Sequence, residues 1–143
     1  MPKPVSPPVA ADAIIEIGDR IVLIERRNFP FGWAIPGGFV DFGETVEQAA
    51  VREALEETSL KVTLRALLGI YSRPGRDPRG QTITAVYIAR SSGTPRAADD
   101  AKGVGLFDPL NLPAPLAFDH ADILADYVRF LDHGEFPAPW AKS

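Results

Sequence analysis

The 143 residues contain no cysteine, which excludes disulfide bridges and thiolate metal sites. Surplus positive charge is also missing. With a formal net charge of -4 and a pI near 5.1, nothing here could neutralise a nucleic-acid backbone or an anionic membrane broadly. Neither nucleic acid nor membrane is therefore an expected partner, and any bound phosphate must be handled locally. No apolar run approaches the roughly 20 residues that span a bilayer. No signal-like apolar segment follows MPKPVSPP, so the cytoplasm is the expected compartment. What remains is ordinary for a chain that folds alone: 45% hydrophobic and 24% charged residues, far from the apolar-poor profile of disorder. The length suits one domain with a real core.

Prolines crowd the N-terminus, with four in the first eight residues, and they favour an extended arm over residues 1–8 ahead of one domain over 9–143. VAADAIIEI and RIVLIE, split by Gly18-Asp19, read as two strands of a hairpin. The apolar piece WAIPGGFV is stopped by Pro36 and Gly37-Gly38, and DFGE then leads into a helix running from Thr45 to Thr58. Thr45 with Gln48 three residues later forms a capping-box pattern at its start. KVTLRALLGIYSR and QTITAVYIAR are rich in β-formers and bracket the basic turn RPGRDPRG. After the loop SSGTPRAADDAKG and the short segment VGLF, ADILADYVRFL spaces its apolar residues at three and four and predicts a closing amphipathic helix. His120 opens that helix, where the ordinary role is a cap.

Within the first helix, REALEE places Glu53, Glu56 and Glu57 at helical spacing beside Arg52. At about 100° per residue, Ala50, Val51, Ala54 and Leu55 share the side expected to face the core, and the acids share another. In a bare helix such a triplet reads as a solvated face whose repulsion Arg52 relieves. The neighbouring Pro36-Gly37-Gly38 turn suggests more, because it brings bare backbone beside the helix start. A hard cation such as Mg²⁺ wants one or two carboxylates, a carbonyl, waters and substrate phosphates. Glu44 and Arg52 would then fix the loop against the helix.

Residues 38–60 match the Nudix box: Gly38, five residues, Glu44, seven residues, then Arg52, Glu53, Ala54, Glu56, Glu57 and Leu60. Ser59 stands where the box has glycine, so it must adopt the helix-ending conformation that glycine takes at small cost. The chain thus resembles the Nudix hydrolases. That resemblance implies an α/β/α sandwich with a mixed β-sheet between helices. It implies hydrolysis of a nucleoside diphosphate linked to another group, with Mg²⁺ or Mn²⁺ held by Glu53, Glu56, Glu57 and the carbonyl of Gly37. Arg52 then serves the catalytic carboxylates, and Gly38 and Glu44 are structural members of the box.

YSRPGRDPRG, ADDAKG and LAFDHADIL resemble the corresponding segments of the small ADP-ribose pyrophosphatases, as does a proline beyond the box, here Pro74. ADP-ribose cleaved to AMP and ribose 5-phosphate is therefore the expected reaction. Arg73, Arg76 and Arg79 are candidate phosphate or ribose contacts, since guanidinium forks suit such oxygens. Arg27 and Trp33 join them as substrate-binding candidates, Trp33 through stacking on a base. The general base is less marked: Asp100, or its neighbour Asp99, is a candidate to reach the attacking water, and Glu56 or Glu57 could activate it directly. Two other readings stand beside this one. The first is a hydrolase of oxidised nucleoside triphosphates. The second is a non-catalytic ligand sensor, which the intact glutamates and the short chain disfavour. A homodimer is expected on two grounds: the small ADP-ribose pyrophosphatases tend to be dimeric, and VAADAIIEI would otherwise be an exposed sheet edge.

Overall fold

The computed structural model of the chain describes residues 4–98 and 101–139. The strand-forming run Val9–Ile17 (β1) turns at Gly18, whose φ of 61° suits a residue without Cβ, and returns as Arg20–Arg26 (β2). Two short strands, Gly32–Ala34 (β3) and Gly37–Phe39 (β4), precede the helix Val46–Thr58 (α1). Thr63–Tyr71 (β5), Ile83–Arg90 (β6), Ala101–Phe107 (β7) and the helix His120–His133 (α2) follow. The main path of the sheet is β3-β2-β1-β6-β5, with β4 added to β1 and β7 to β2. It is mixed, because β1 runs parallel to β6 from Val9 opposite Ile83 to Glu16 opposite Arg90, while β5 and β6 are antiparallel.

The expectation that β1 forms an exposed edge is overturned. β1 lies in the middle of the sheet, bonded to β6 on one side and to β4 and β2 on the other. Its composition explains this. A strand covered by helices on both faces is apolar on both, and β1 alternates Ala11, Ala13 and Ile15 with Ile14. Ala11, Ala13 and Ile15 meet Ala49, Ala50 and Ala54 of α1, directly or through Ala85 and Ala89 of β6. Ile14, with Val86 and Ile88, meets Ile123, Leu124 and Tyr127 of α2. Two helices therefore sandwich the sheet.

α1 is capped as its sequence predicts: Thr45 Oγ1 accepts from Gln48 N at 3.0 Å, and Gln48 Oε1 accepts from Thr45 N at 2.8 Å. Its rotation differs from the expectation. Val51 and Leu55 are 36% and 45% exposed, whereas Glu57 is only 8% exposed. The inward stripe is Ala50, Ala54 and Glu57, at spacings of four and three. Alanines let the helix lie close on the sheet, and the same rotation carries Glu57 against the Gly37 strand. At the other end Ser59 takes the left-handed conformation, φ 63°, and donates its N–H to Leu55 O.

Candidate active site

Gly37 and Gly38 lie opposite Asp12 and Ala11 of β1. Here glycine is required by space rather than by φ. A Cβ on Gly37 would collide with the Asp12 carboxylate, and one on Gly38 would stand 2.5 Å from the carboxyl carbon of Glu53. The missing side chains let a strand backbone, a β1 carboxylate and the α1 carboxylates converge. Gly37 N donates to Glu57 Oε1 at 2.9 Å.

Burial pushes the Glu57 carboxyl well above the usual carboxylate range. The Gly37 N–H opposes this, while the neighbouring Glu53 and Asp12 charges add to it. Glu53 is raised as well, again chiefly by desolvation. Two carboxylates that resist sharing a dry site as anions retain a proton between them. Asp12, buried, is raised to about 7 by desolvation, against a hydrogen bond from Thr84 Oγ1 at 2.9 Å.

Arg52 gathers the rest of the box. Its guanidinium donates to Glu44 at 2.7 and 3.0 Å, to Glu53 at 2.8 Å, to Glu56 at 3.2 Å and to Phe39 O at 3.0 Å. The hydrogen bonds from Arg52 hold the Glu44 carboxyl down at about 2. Loop, helix and carboxylates are thus locked by one cation. Glu56 stands apart from its two partners, with its side chain 51% exposed and turned to Arg52.

Glu53 and Glu57 open onto a cleft of about 300 Å³, whose lining also includes Arg76, Asp77, Arg79, Phe118 and His120. The two arginines are not free forks. Arg76, with only 4% of its side chain exposed, spans Asp119 through two bonds of 3.0 and 2.7 Å and donates to Thr82 Oγ1 at 2.8 Å. Arg79 is bidentate to Asp77 and lies over the Phe118 ring at 5.3 Å. On the same ring sits Arg26, at 4.9 Å. The other candidates lie elsewhere. Arg27 and Arg73 are exposed outside the cleft lining, and Trp33 packs edge-on against Phe107 at 5.0 Å. Asp99 and Asp100 lie outside the described residues.

The structure also brings in two side chains that the sequence did not mark as part of the site. Asp12 is one; its signal was a single acid inside the apolar run VAADAIIEI, since a lone carboxylate on a core strand needs a reason. His120 is the other, and the capping role expected of it is not what it does. The helix cap position belongs to Asp119, while His120 is 3% exposed and its Nδ1 accepts from Ile35 N at 3.0 Å.

Among the described residues, no group of three or more carboxylate or imidazole side chains is arranged to hold an ion. The donor set nevertheless fits a hard divalent cation. Two proton-sharing carboxylates and glycine backbone face a polar cleft, and Mg²⁺ needs only one or two carboxylates when waters and substrate phosphates supply the rest.

The family model described as NUDIX domain matches residues 6–127. The chain belongs to the Nudix hydrolases, with their α/β/α sandwich. It is 53% identical to an ADP-ribose pyrophosphatase of Methanocaldococcus jannaschii, over 87% of this chain and 75% of that one. It is 37% identical to a putative 8-oxo-dGTP diphosphatase of Bacillus subtilis, over 65% of this chain and 59% of the relative. A bifunctional NMN adenylyltransferase/ADP-ribose pyrophosphatase from Francisella tularensis, crystallised with AMP and a manganese ion, superposes with a TM-score of 0.74 at 29% identity. That match covers 92% of this chain and 42% of the neighbour.

Proposed function

We propose that this chain hydrolyses the pyrophosphate of ADP-ribose to AMP and ribose 5-phosphate, using Mg²⁺ or Mn²⁺. The observation that carries the reading is the Glu53–Glu57 pair set on the Gly37-Gly38 cradle at the floor of the cleft. The 53% identity to an ADP-ribose pyrophosphatase supports the choice of substrate.

Glu53, Glu57 and the Gly37 carbonyl would hold the cation, with Glu56 at the rim. A bound divalent ion supplies charge neutralisation on the pyrophosphate oxygens and a more acidic water. The chain's own residues prepare for it. The raised Glu53 and Glu57 carboxyls would have to release their shared proton to hold the cation. Arg52 keeps the Phe39–Glu44 loop and the helix in one geometry. Arg76 and Arg79 in the cleft lining, already paired to carboxylates, offer shape and partial charge rather than bare cations. Asp100, two residues beyond Ala98, whose N–H binds Glu57 O at 3.3 Å, is the proposed general base.

A substrate panel in Mg²⁺ tests the reading. AMP with ribose 5-phosphate from ADP-ribose is the expected result. A nucleoside monophosphate with pyrophosphate, formed from 8-oxo-dGTP in preference, would hand the site to the triphosphate-hydrolase reading, which the Bacillus subtilis relative favours. We also propose a homodimer, formed through β5 rather than β1. Among the described strands β5 pairs only with β6, and it exposes Leu67 and Ile70 at 44% and 58%. Sedimentation should give twice the 15.5 kDa chain mass, and a concentration-independent monomer would end the proposal.

A further inference from the structure

The segment Ile35–Pro36–Gly37 carries the proposed metal-facing carbonyl, and three elements hold its backbone. Pro36 O accepts from Ala13 N of β1 at 2.9 Å, and Gly37 N donates to Glu57 of α1 at 2.9 Å. The third hold comes from the far side of the sheet, where Ile35 N donates to Nδ1 of His120, the first residue of α2, at 3.0 Å. We infer that His120 is a positioning residue for the cation site: its Nδ1 sets the Ile35–Gly37 strip in the geometry that presents the Gly37 carbonyl and Glu57 together. This inference rests on the metal-dependent reading above.

Three observations make the imidazole suited to the task. First, its placement is over-determined. Ala117 N donates to Trp33 O at 2.8 Å and Trp33 N to Pro115 O at 2.9 Å, so the chain entering α2 is laced along β3. Asp119 is gripped by Arg76. Phe118, at an unusual φ of 55°, sits against the Arg26 and Arg79 guanidiniums and the His120 ring. A non-glycine residue in that conformation persists only where its surroundings hold it. Second, accepting from an amide fixes the tautomer, so the proton sits on Nε2, which faces Asp12 Oδ2 at 3.9 Å. Asp12 in turn abuts Gly37, and the hold that His120 itself places on the strip is the hydrogen bond from Ile35 N. Third, the ring stays neutral. Burial, with the nearby Arg76 and Arg26 charges, depresses it to about 3, and the contact with Asp12 is therefore not an ion pair.

The test compares His120→Leu with His120→Asn. Leucine keeps bulk and removes the acceptor, leaving Ile35 N–H unsatisfied. Asparagine places an amide oxygen near the Nδ1 position and can accept the same hydrogen bond. Metal-stripped proteins are titrated with Mn²⁺ by calorimetry at a temperature where thermal scans show each variant folded. Loss of an outer partner of a metal site costs roughly 10–100-fold in affinity. We therefore expect His120→Leu to weaken Mn²⁺ binding about 10-fold or more, and to lower kcat on ADP-ribose with little change in KM. His120→Asn should recover most of both. A His120→Leu protein that melts earlier yet binds Mn²⁺ as the wild type does would reduce His120 to a core residue and overturn the inference alone. A wild type that binds no Mn²⁺ overturns the metal-dependent reading and this inference with it. If His120→Leu does not fold, the wild type decides by nitrogen NMR during an Mg²⁺ titration. The His120 Nδ1 and Ile35 amide resonances should move with the midpoint of metal binding, and unmoved resonances overturn the inference.

Discussion

Glu56 and Glu57 are adjacent and chemically identical, yet they have different fates. Glu57 points along the alanine stripe of α1 into a glycine-cleared space, and Glu56, one residue back and about 100° round the helix, reaches solvent and Arg52. Burial makes the Glu57 charge costly without a cation and available to one that arrives. Glu57→Gln keeps the acceptor oxygen for Gly37 N and removes the charge. We predict a fall in kcat of about two orders of magnitude or more. The metal-free melting temperature should be unchanged or raised, because a desolvated carboxyl has been neutralised. Steady-state kinetics beside a thermal melt checks both, and full activity in the variant would remove Glu57 from the site. The loop arginines carry a complementary lesson. Expected as free contacts, Arg76 and Arg79 are paired to Asp119 and Asp77, so charge on one residue says little about substrate until its partner is known.

At the scale of elements, α1 delivers the site, and both of its ends are stabilised differently from its middle. Its start carries the full capping box, but its end places a serine in the left-handed region, φ 63°, which suits glycine better. The Ser59 hydroxyl recovers little, with a single 3.4 Å contact to Arg96 O. Ser59→Gly should therefore stabilise the chain by about 0.5–1 kcal/mol, the relief of the conformation less the extra freedom glycine gives the unfolded chain. For a chain of this size that is about 2–4 °C in Tm. Activity should not change, since Ser59 lies off the cleft. Urea melts measure the effect, and a loss of stability would show that the hydroxyl contact outweighs the strain.

At the scale of the whole molecule, Asp12 and His120, which face each other at 3.9 Å, make opposing contributions to the pH response alongside those of the Glu53–Glu57 pair. Asp12 is raised from 3.8 to about 7, so the folded state keeps a proton that the unfolded chain has lost. Its contribution to stability is complete below pH 3.8 and disappears as pH rises through about 7. His120, depressed from 6.5 to about 3, contributes above pH 6.5 and is lost as pH falls toward 3. Between about pH 4 and 6.5 the two slopes cancel, each near 1.4 kcal/mol per pH unit. Asp12→Asn removes one of them. In metal-free buffer the variant should gain stability relative to the wild type as pH rises from 4 to 7, by at most on the order of 4 kcal/mol. Urea titrations at stepped pH follow this gain, and a constant difference would mean that Asp12 titrates normally in the folded chain.

Much of the protein was legible in one dimension because its signals are local. The hairpin at Gly18, the capping box at Thr45, the β5 and β6 strands and the closing helix follow from periodicity and turn chemistry over a few residues. The spacing from Gly38 to Leu60 carried the family, because one turn and one helix contain it. Tertiary structure decided what depends on residues far apart. β1 became central only when β6, some seventy residues away, paired with it in parallel. Which face of α1 turned inward was settled by how closely alanines could approach the sheet, and that choice buried Glu57 in place of Val51. Asp12, Gly37, Glu57 and His120 meet because four elements converge. No spacing rule joins an acid in the first strand to a histidine in the last helix, since long-range packing sets that distance.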